Sequence, residues 1–317
     1  MHQTHSIQRA LRHIETSLKE PLALATLARS AGMSLWHFQR TFSAMVGEPA
    51  GSYLRRRRLT EAARILRDSH RTILEVAIEY CFESHAAFTR AFKSEMAVTP
   101  SAWRTGRASI PPKRFCRPIV LSLETIRKRY QDMKLVPDIV TLPPRRFVGL
   151  QTKFVSATSE HSDNLQIIPR LWDEFTRRSH VLHPLESGVF FGLADCPESR
   201  GLKPSRPDEV LYLAGVETSV DAPIPDGMVA WTSTGGTYAK FLHRGPIGGI
   251  GRTMGFIYGQ WLPEGDYQRA EGPDMERYDG RFDPASDASV LEIFVPVDPV
   301  GKGAANDPLR DAASTSF

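Results

Sequence analysis

The sequence predicts a multidomain protein: an all-α domain made of two helix–turn–helix units, followed by an α+β domain made of duplicated strand–helix–strand–strand units around antiparallel sheets. Three observations carry this reading. Phe38, Arg40 and Phe42 recur as Phe88, Arg90 and Phe92, each fifty residues on. An order of strand-like and helix-like segments over 146–217 recurs more weakly over 237–297. Charge divides the chain at the same place: residues 1–134 hold 23 Lys and Arg against 11 Asp and Glu, whereas residues 135–317 hold 17 against 25. A repeat implies that one supersecondary unit is used twice.

Each copy in the first half opens with a short amphipathic helix, 22–30 and then 73–81, whose apolar residues fall three to four apart. Leu24, Leu27, Ala28 and Met33 match Ile73, Val76, Ala77 and Phe82 at a displacement of forty-nine, so one residue is inserted near Glu83. A turn then leads to Ser34 or Ser84, each placed to cap the next helix by accepting from a free first-turn N–H. The second helices, 35–46 and 85–96, put Phe38, Phe42 and Met45, or Phe88, Phe92 and Met96, on a core stripe. Their opposite stripes carry Trp36, Gln39 and Arg40, or His85, Thr89 and Arg90. Arg and Gln form paired hydrogen bonds with guanine and adenine edges, and a second helix of this motif presents such residues to a major groove.

Between the copies, 49–69 reads as a helix begun by Pro49. A rod of that length spans about 30 Å, close to the roughly 34 Å between successive major-groove faces on one side of B-DNA. Two reading heads on one chain therefore need no dimer. The basic charge of this half points to a polyanion partner for it alone. The Arg55–Arg58 run spreads around most of a helix circumference, so one or two of these residues are expected at phosphate and the rest solvated or paired.

With these motifs in place, residues 5–107 resemble the tandem helix-turn-helix domain of AraC/XylS-type transcription regulators. The carrying strings are SLWHFQRTFSAMVGEPAGSYLRRRRLTEAARIL and CFESHAAFTRAFKSEMAVTPSAWR. The resemblance implies double-stranded promoter DNA as a partner and RNA polymerase as a further one; a cytoplasmic location is expected from the unpaired cysteines and the lack of a signal-peptide core. It places DNA contacts at Ser34, Trp36, His37, Gln39 and Arg40 in the first unit and at Ser84, His85, Thr89 and Arg90 in the second. The chain departs from the family where glutamines are usual, with His85 and Ala86, and at the turn glycine, with Cys81.

The domains are expected at 1–107 and 135–297, joined by a Pro-, Gly- and charge-rich linker, 108–134, in which 122–132 reads as a short helix. A disordered tail is expected at 298–317, which is poor in large apolar residues. No apolar run approaches membrane-span length, so no membrane association is expected. Cys81, Cys116 and Cys196 are far apart and odd in number, which encodes neither a disulfide framework nor a zinc site; no metal or cofactor is expected.

In the second half, strands at 146–155, 189–194 and 210–217 surround a helix at 167–178, and strands at 237–243, 275–279 and 290–297 surround a helix at 248–262. Alternation sets Leu291, Ile293 and Val295 on one face of the last strand, read as core, and Glu292 and Phe294 on the other. Tyr212 lies opposite Leu211 and Leu213. A carboxylate beside aromatic residues forms a concave site for an organic cation or polar aromatic compound.

Residues 135–297 resemble the GyrI-like effector-binding domain, through TYAKFLHRGP, YGQWLPE, MERYD and LEIFVPV. The resemblance implies a small-molecule effector, with Glu292 as the pocket carboxylate and Glu276, Tyr278, Tyr212 and Phe294 as walls. It also carries an alternative, a bifunctional DNA-binding protein whose second domain hydrolyses a cyclopropane-type toxin using Glu292 as acid or base. No nucleophile, base and orienter set accompanies that glutamate, so the expectation is a binder without catalytic residues. His243 reads as a strand end, Trp172 and Trp261 as core, and the Gly251, Gly255 and Gly259 stripe as close helix-to-sheet packing.

Overall fold

The computed structural model describes residues 2–156, 159, 162–206 and 208–301. The first domain comprises α1 (His2–Thr16), α2 (Leu24–Ala31), α3 (Leu35–Val46), α4 (Ala50–Asp68), α5 (Ile73–Glu79), α6 (His85–Met96) and the short α7 (Pro100–Arg104). The two second helices of the repeat have the bounds that their stripes predict. Ser34 accepts from the His37 N–H and Ser84 from the Ala87 N–H, so both caps are formed. Phe38, Phe42 and Met45 are buried, as are Phe88, Phe92 and Met96. α1 contributes Ile7, Leu11 and Ile14 to the same core.

α4 runs for 19 residues between the two units, about 28 Å at 1.5 Å per residue. Its arginine run is largely spent inside the protein. Arg57 is buried against Glu15, Glu61 and the Cys116 carbonyl. Arg56 bridges Glu48 and Glu95, and Arg58 donates to the Leu18 and Glu20 carbonyls.

The segment 108–134 is a strap rather than a loose tether. Ile110, Cys116, Ile126 and Tyr130 are buried along it. Its N–H groups at Cys116, Ile119 and Leu121 donate to Thr60, Tyr53 and Gln8 of the helical domain. It contains α8 (Leu123–Arg129), shorter than the helix expected over 122–132.

The second domain is one continuous antiparallel sheet. Its strands are β1 (Asp138–Leu142), β2 (Arg145–Val155), β3 (Phe190–Asp195), β4 (Glu209–Thr218), β5 (Val229–Ser233), β6 (Gly236–Arg244), β8 (Asp274–Tyr278) and β9 (Val290–Pro299), with β7 (Tyr267–Arg269) paired to the end of β9. The order β1-β6-β9-β8-β3-β4-β2-β5 places the two repeated units side by side, meeting at β3 and β8. α9 (Asn164–Arg178) belongs to the first unit. In the second, α10 (Ile250–Phe256) continues through a π turn (Ile257–Trp261) into the short α11 (Leu262–Glu264). Both helices cover the same face of the sheet: Trp172 and Phe175 of α9 meet Tyr278 and Phe190, and Trp261 meets Phe241.

The opposite face has an apolar centre with ion pairs around it. Phe147, Leu193, Leu213, Trp231, Met275 and Phe294 form a second apolar cluster there. The division of strand faces into core and site is therefore corrected: both faces are core, and the crevice lies on the helix-covered one. The expected tail starts too early, because Asp298 and Pro299 pair with Gln268 and Tyr267. The rest of that tail, 302–317, lies outside the described residues.

Candidate functional site

The second reading helix is open. Ser84, His85, Ala86 and Arg90 are exposed on α6, while Thr89 is half-buried with its hydroxyl enclosed. The equivalent face of α3 is covered by the second domain. Trp36 and Gln39 are buried, 6% and 5% exposed, although both point away from their own helical core. The Trp36 ring meets the edge of Tyr258 at 6.1 Å and His37 approaches the same ring at 6.0 Å. Arg40 pairs with Asp274 at 2.9 Å. The Arg40 and Arg269 guanidiniums lie 4.4 and 4.2 Å from the centre of the Trp36 ring. Asp274 is saturated by this cluster, since it also accepts from the Tyr258 hydroxyl at 2.7 Å and from Arg269.

Small residues allow the approach. A Cβ on Gly259 would lie 3.0 Å from the Ala44 Cβ of α3, and one on Gly255 would lie 2.8 Å from the Tyr130 hydroxyl of the strap. The glycine stripe read as helix-to-sheet packing thus serves helix-to-helix packing across the two domains. Gly251, at the end of that stripe, meets open space. The strap completes the joint: Tyr130 and Arg129 donate to the Ala44 carbonyl, and Arg129 to that of Val46, satisfying the last turn of α3.

In the second domain, β8 places Asp274, Glu276 and Tyr278 on the helix-covered face. Glu276 is half-buried on that face, with Trp172 of α9 on one side through Tyr212 and, two residues away, Asp274 bonded to Tyr258 of the interrupted helix. Its Oε2 accepts from Tyr278 at 2.7 Å and from Tyr212 at 2.8 Å, and Tyr212 in turn accepts from the Trp172 indole at 3.3 Å. The Tyr278 ring is met by Trp172 at 4.9 Å and by Phe282 at 4.7 Å, and Tyr212 by Phe154 at 6.1 Å. Desolvation pushes the Glu276 carboxyl up, opposed by the two tyrosine hydrogen bonds and the charge of Arg40. The same burial, with the negative charge of Glu276, pushes both tyrosine hydroxyls well up, so they stay protonated donors.

Of the residues read as ligand-binding, Glu276, Tyr278 and Tyr212 come together; Glu292 and Phe294 do not join them. Glu292 pairs in register with Arg277 on the far face, where it is held by Arg277 and Arg281 beside Asp279. Phe294 pairs with Met275 in the second apolar cluster. Trp172, read as core, packs against the main apolar cluster and also contacts Tyr212 and Tyr278 beside Glu276. Sequence reasoning also passed over Gly192, Tyr258, Arg269 and Asp274. A glycine inside a strand was the available signal for Gly192; a lone buried aspartate in a short strand gives none. His243 is a buried strand end, as expected, with Thr253 and the Pro246 carbonyl on its two ring nitrogens. Among the described residues no group of metal-ligating side chains occurs, and no helix is long and apolar enough to cross a membrane.

The fold and this crevice define a DNA-binding domain of the helix-turn-helix class joined to a small-molecule-binding module. Residues 136–298 match the GyrI-like small molecule binding domain and residues 27–106 a helix-turn-helix domain. The chain is 31% identical over 291 residues to the transcriptional regulator Rob of Salmonella typhimurium, covering 88% of this chain and 91% of that one. It is 29% identical over 320 residues to the right origin-binding protein of Escherichia coli, covering 94% and 99%. Its first part is 44% identical over 104 residues to the transposon Tn10 TetD protein of Escherichia coli, covering 33% of this chain and 75% of that one. The chain belongs to the AraC-type transcription regulators that carry a GyrI-like small-molecule-binding domain.

Proposed function

We propose that the effector of this regulator is a bulky organic cation with aromatic character, taken up against Glu276 in the crevice. The carrying observation is a carboxylate ringed by Tyr212, Tyr278 and Trp172, with both tyrosine hydroxyls on one of its oxygens. A delocalised cation gains there from the remaining carboxylate oxygen and from the ring faces, in a site already desolvated. The small polar clamp with apolar walls selects charge and size rather than a hydrogen-bonding pattern, which suits a sensor of varied compounds.

On the DNA side, Trp36, Gln39 and Arg40 of α3 and His85, Thr89 and Arg90 of α6 are assigned to base edges or groove walls, and Ser34, His37 and Ser84 to the helix starts beside the backbone. The chemistry of Arg and Gln supports this, together with the exposed placement of Arg90. Contact with RNA polymerase, a cytoplasmic location and a purely non-catalytic second domain are part of the same reading. The alternative, toxin hydrolysis through Glu292, loses support because that glutamate is tied into ion pairs away from the crevice.

The reading is tested by thermal shift of the full chain with tetraphenylphosphonium. A rise in melting temperature that disappears in Glu276→Gln and survives in Glu292→Gln is expected. Equal loss in both variants, or no shift in the wild type, contradicts the assignment. For DNA, Arg90→Ala is expected to weaken binding to a selected duplex by about 1–3 kcal/mol.

A further inference from the structure

The two copies of the repeat differ in one respect that their sequences do not foretell. The reading face of α6 is exposed, whereas that of α3 is occupied by the second domain. A helix whose Trp36, Gln39 and Arg40 are buried against protein has no face to offer a major groove, because the groove must take the position that Tyr258, Arg269 and Asp274 now hold. The contact is specific as well as occluding. Asp274 is buried and carries a full set of donors, and Arg40, with 17% of its side chain exposed, is sandwiched toward Trp36 while it pairs. An arginine–carboxylate pair is the interaction most closely imitated by an arginine on guanine or phosphate. The protein therefore presents to α3 an internal substitute for DNA.

We propose that the GyrI-like domain is an autoinhibitory partner of the first reading helix: the Asp274–Arg40 latch, seated by the Gly255 and Gly259 stripe, competes with DNA, and engagement of both reading helices requires its release. This rests on the reading of α3 as a DNA-contacting helix. The affinity of the full chain for a two-site duplex is then lowered by the fraction of molecules that are open. The latch also adjoins the effector crevice, since Asp274 and Glu276 share one face of β8 two residues apart, about 7 Å along a strand. The second domain can thus govern the first without any hinge beyond the strap.

The test uses the full chain and a duplex of about 25 base pairs, long enough for two adjacent groove faces, enriched by the wild type from a randomised pool. Asp274→Asn removes the ion pair, and Gly259→Val forces α3 away from the second domain without altering any latch residue. Both variants are expected to bind the duplex at least about tenfold more tightly than wild type. In the Gly259→Val background, where the latch is already open, Arg40→Ala is expected to bind more weakly than Gly259→Val alone, because there it removes only the DNA contact. Tightening in Gly259→Val alone still supports the latch should Asp274→Asn prove unfolded by circular dichroism. Hydrogen exchange supplies an independent reading: on adding the duplex to wild type, peptides covering 257–261 and 267–278 are expected to lose protection. Unchanged affinity in folded variants, or unchanged protection of those peptides in the bound complex, overturns the latch. Equal affinity of Gly259→Val with and without Arg40→Ala overturns the assignment of α3 to DNA, a different failure with a different readout.

Discussion

Gly192 of β3 lies directly beneath Tyr212 of β4, and its lack of a side chain is what brings the Tyr212 hydroxyl to Glu276. A Cβ at this position would lie 2.8 Å from the Glu276 Oε2 and closer still to the tyrosine oxygen. Gly192 and Glu276 are register partners across β3 and β8, so the glycine forms the floor of the crevice. Gly192→Ala is therefore expected to leave the fold intact and to displace the Tyr212 ring, with loss of tetraphenylphosphonium binding by about tenfold, equivalent to one charge-assisted hydrogen bond. Calorimetric titration checks it; equal affinity in the variant would mean that Tyr212 does not set the site.

Ionisation of Glu276 is expected to weaken the folded state. Burial holds its carboxyl above the ordinary 4.5, so between that value and its raised folded value the unfolded chain has lost a proton that the folded chain still holds. Stability then falls as pH rises through this window, with a slope of at most about 1.4 kcal/mol per pH unit for one proton. Glu276→Gln keeps an acceptor for both tyrosines and removes the titration. Urea denaturation at stepped pH should show the variant gaining on the wild type above about pH 4.5 and then holding a constant lead. A constant difference at every pH would place the ionisation elsewhere.

Much of this architecture is legible in the sequence. The apolar stripes ending in Met45 and Met96 fix α3 and α6 because a helix with a buried stripe admits one period, and the caps at Ser34 and Ser84 fix where they begin. Alternation in β9 is equally visible and places Glu292 and Phe294 opposite Ile293 as expected, yet the carboxylate ringed by aromatics, Glu276, lies on the Ile293 face. Both faces carry an apolar cluster and both carry charged residues, so alternation separates the faces without ranking them. The difference between Glu276 and Glu292 is whether Arg277 and Arg281 stand beside the carboxylate, which depends on strand register and loop path. Docking of α3 was hidden for a related reason. Trp36 and Arg40 suit a base pair and a protein carboxylate equally well, and the stripe of small residues at Gly255 and Gly259 announces close packing without naming the partner.

The second copy of the repeat has kept two left-handed backbone positions and lost their glycines. Cys81 has φ 62° and Ala97 has φ 63°, where the first copy has Gly32 at 70° and Gly47 at 94°. A side chain in this region costs roughly 1 kcal/mol relative to glycine. Cys81→Gly and Ala97→Gly are each expected to stabilise the helical domain by about that amount, read as a higher urea midpoint with unchanged slope. Gly32→Ala is expected to do the opposite. A destabilised Cys81→Gly would show that the half-buried Cys81 side chain contributes more packing than its backbone costs.

His37 makes the joint between the domains sensitive to acid. Its ring lies against Tyr258, its Nε2 is enclosed without a hydrogen-bond partner, and burial together with the charges of Arg269 and Arg40 keeps the ring uncharged by lowering its pKa from 6.5 to about 3. Once α3 leaves the second domain the imidazole is hydrated and regains its ordinary affinity for protons. The undocked state thus binds one proton more than the docked state between pH 6.5 and 3. Docking is fully favoured above that window and weakens as pH falls through it, by up to about 1.4 kcal/mol per unit. Hydrogen exchange of residues 35–46 at pH 7.5 and 5.5, corrected for intrinsic rates, should reveal lower protection at the acid value in wild type and no change in His37→Asn. Equal protection at both pH values in wild type would mean that the helix stays seated with its histidine uncharged, and that acid acts on some other group.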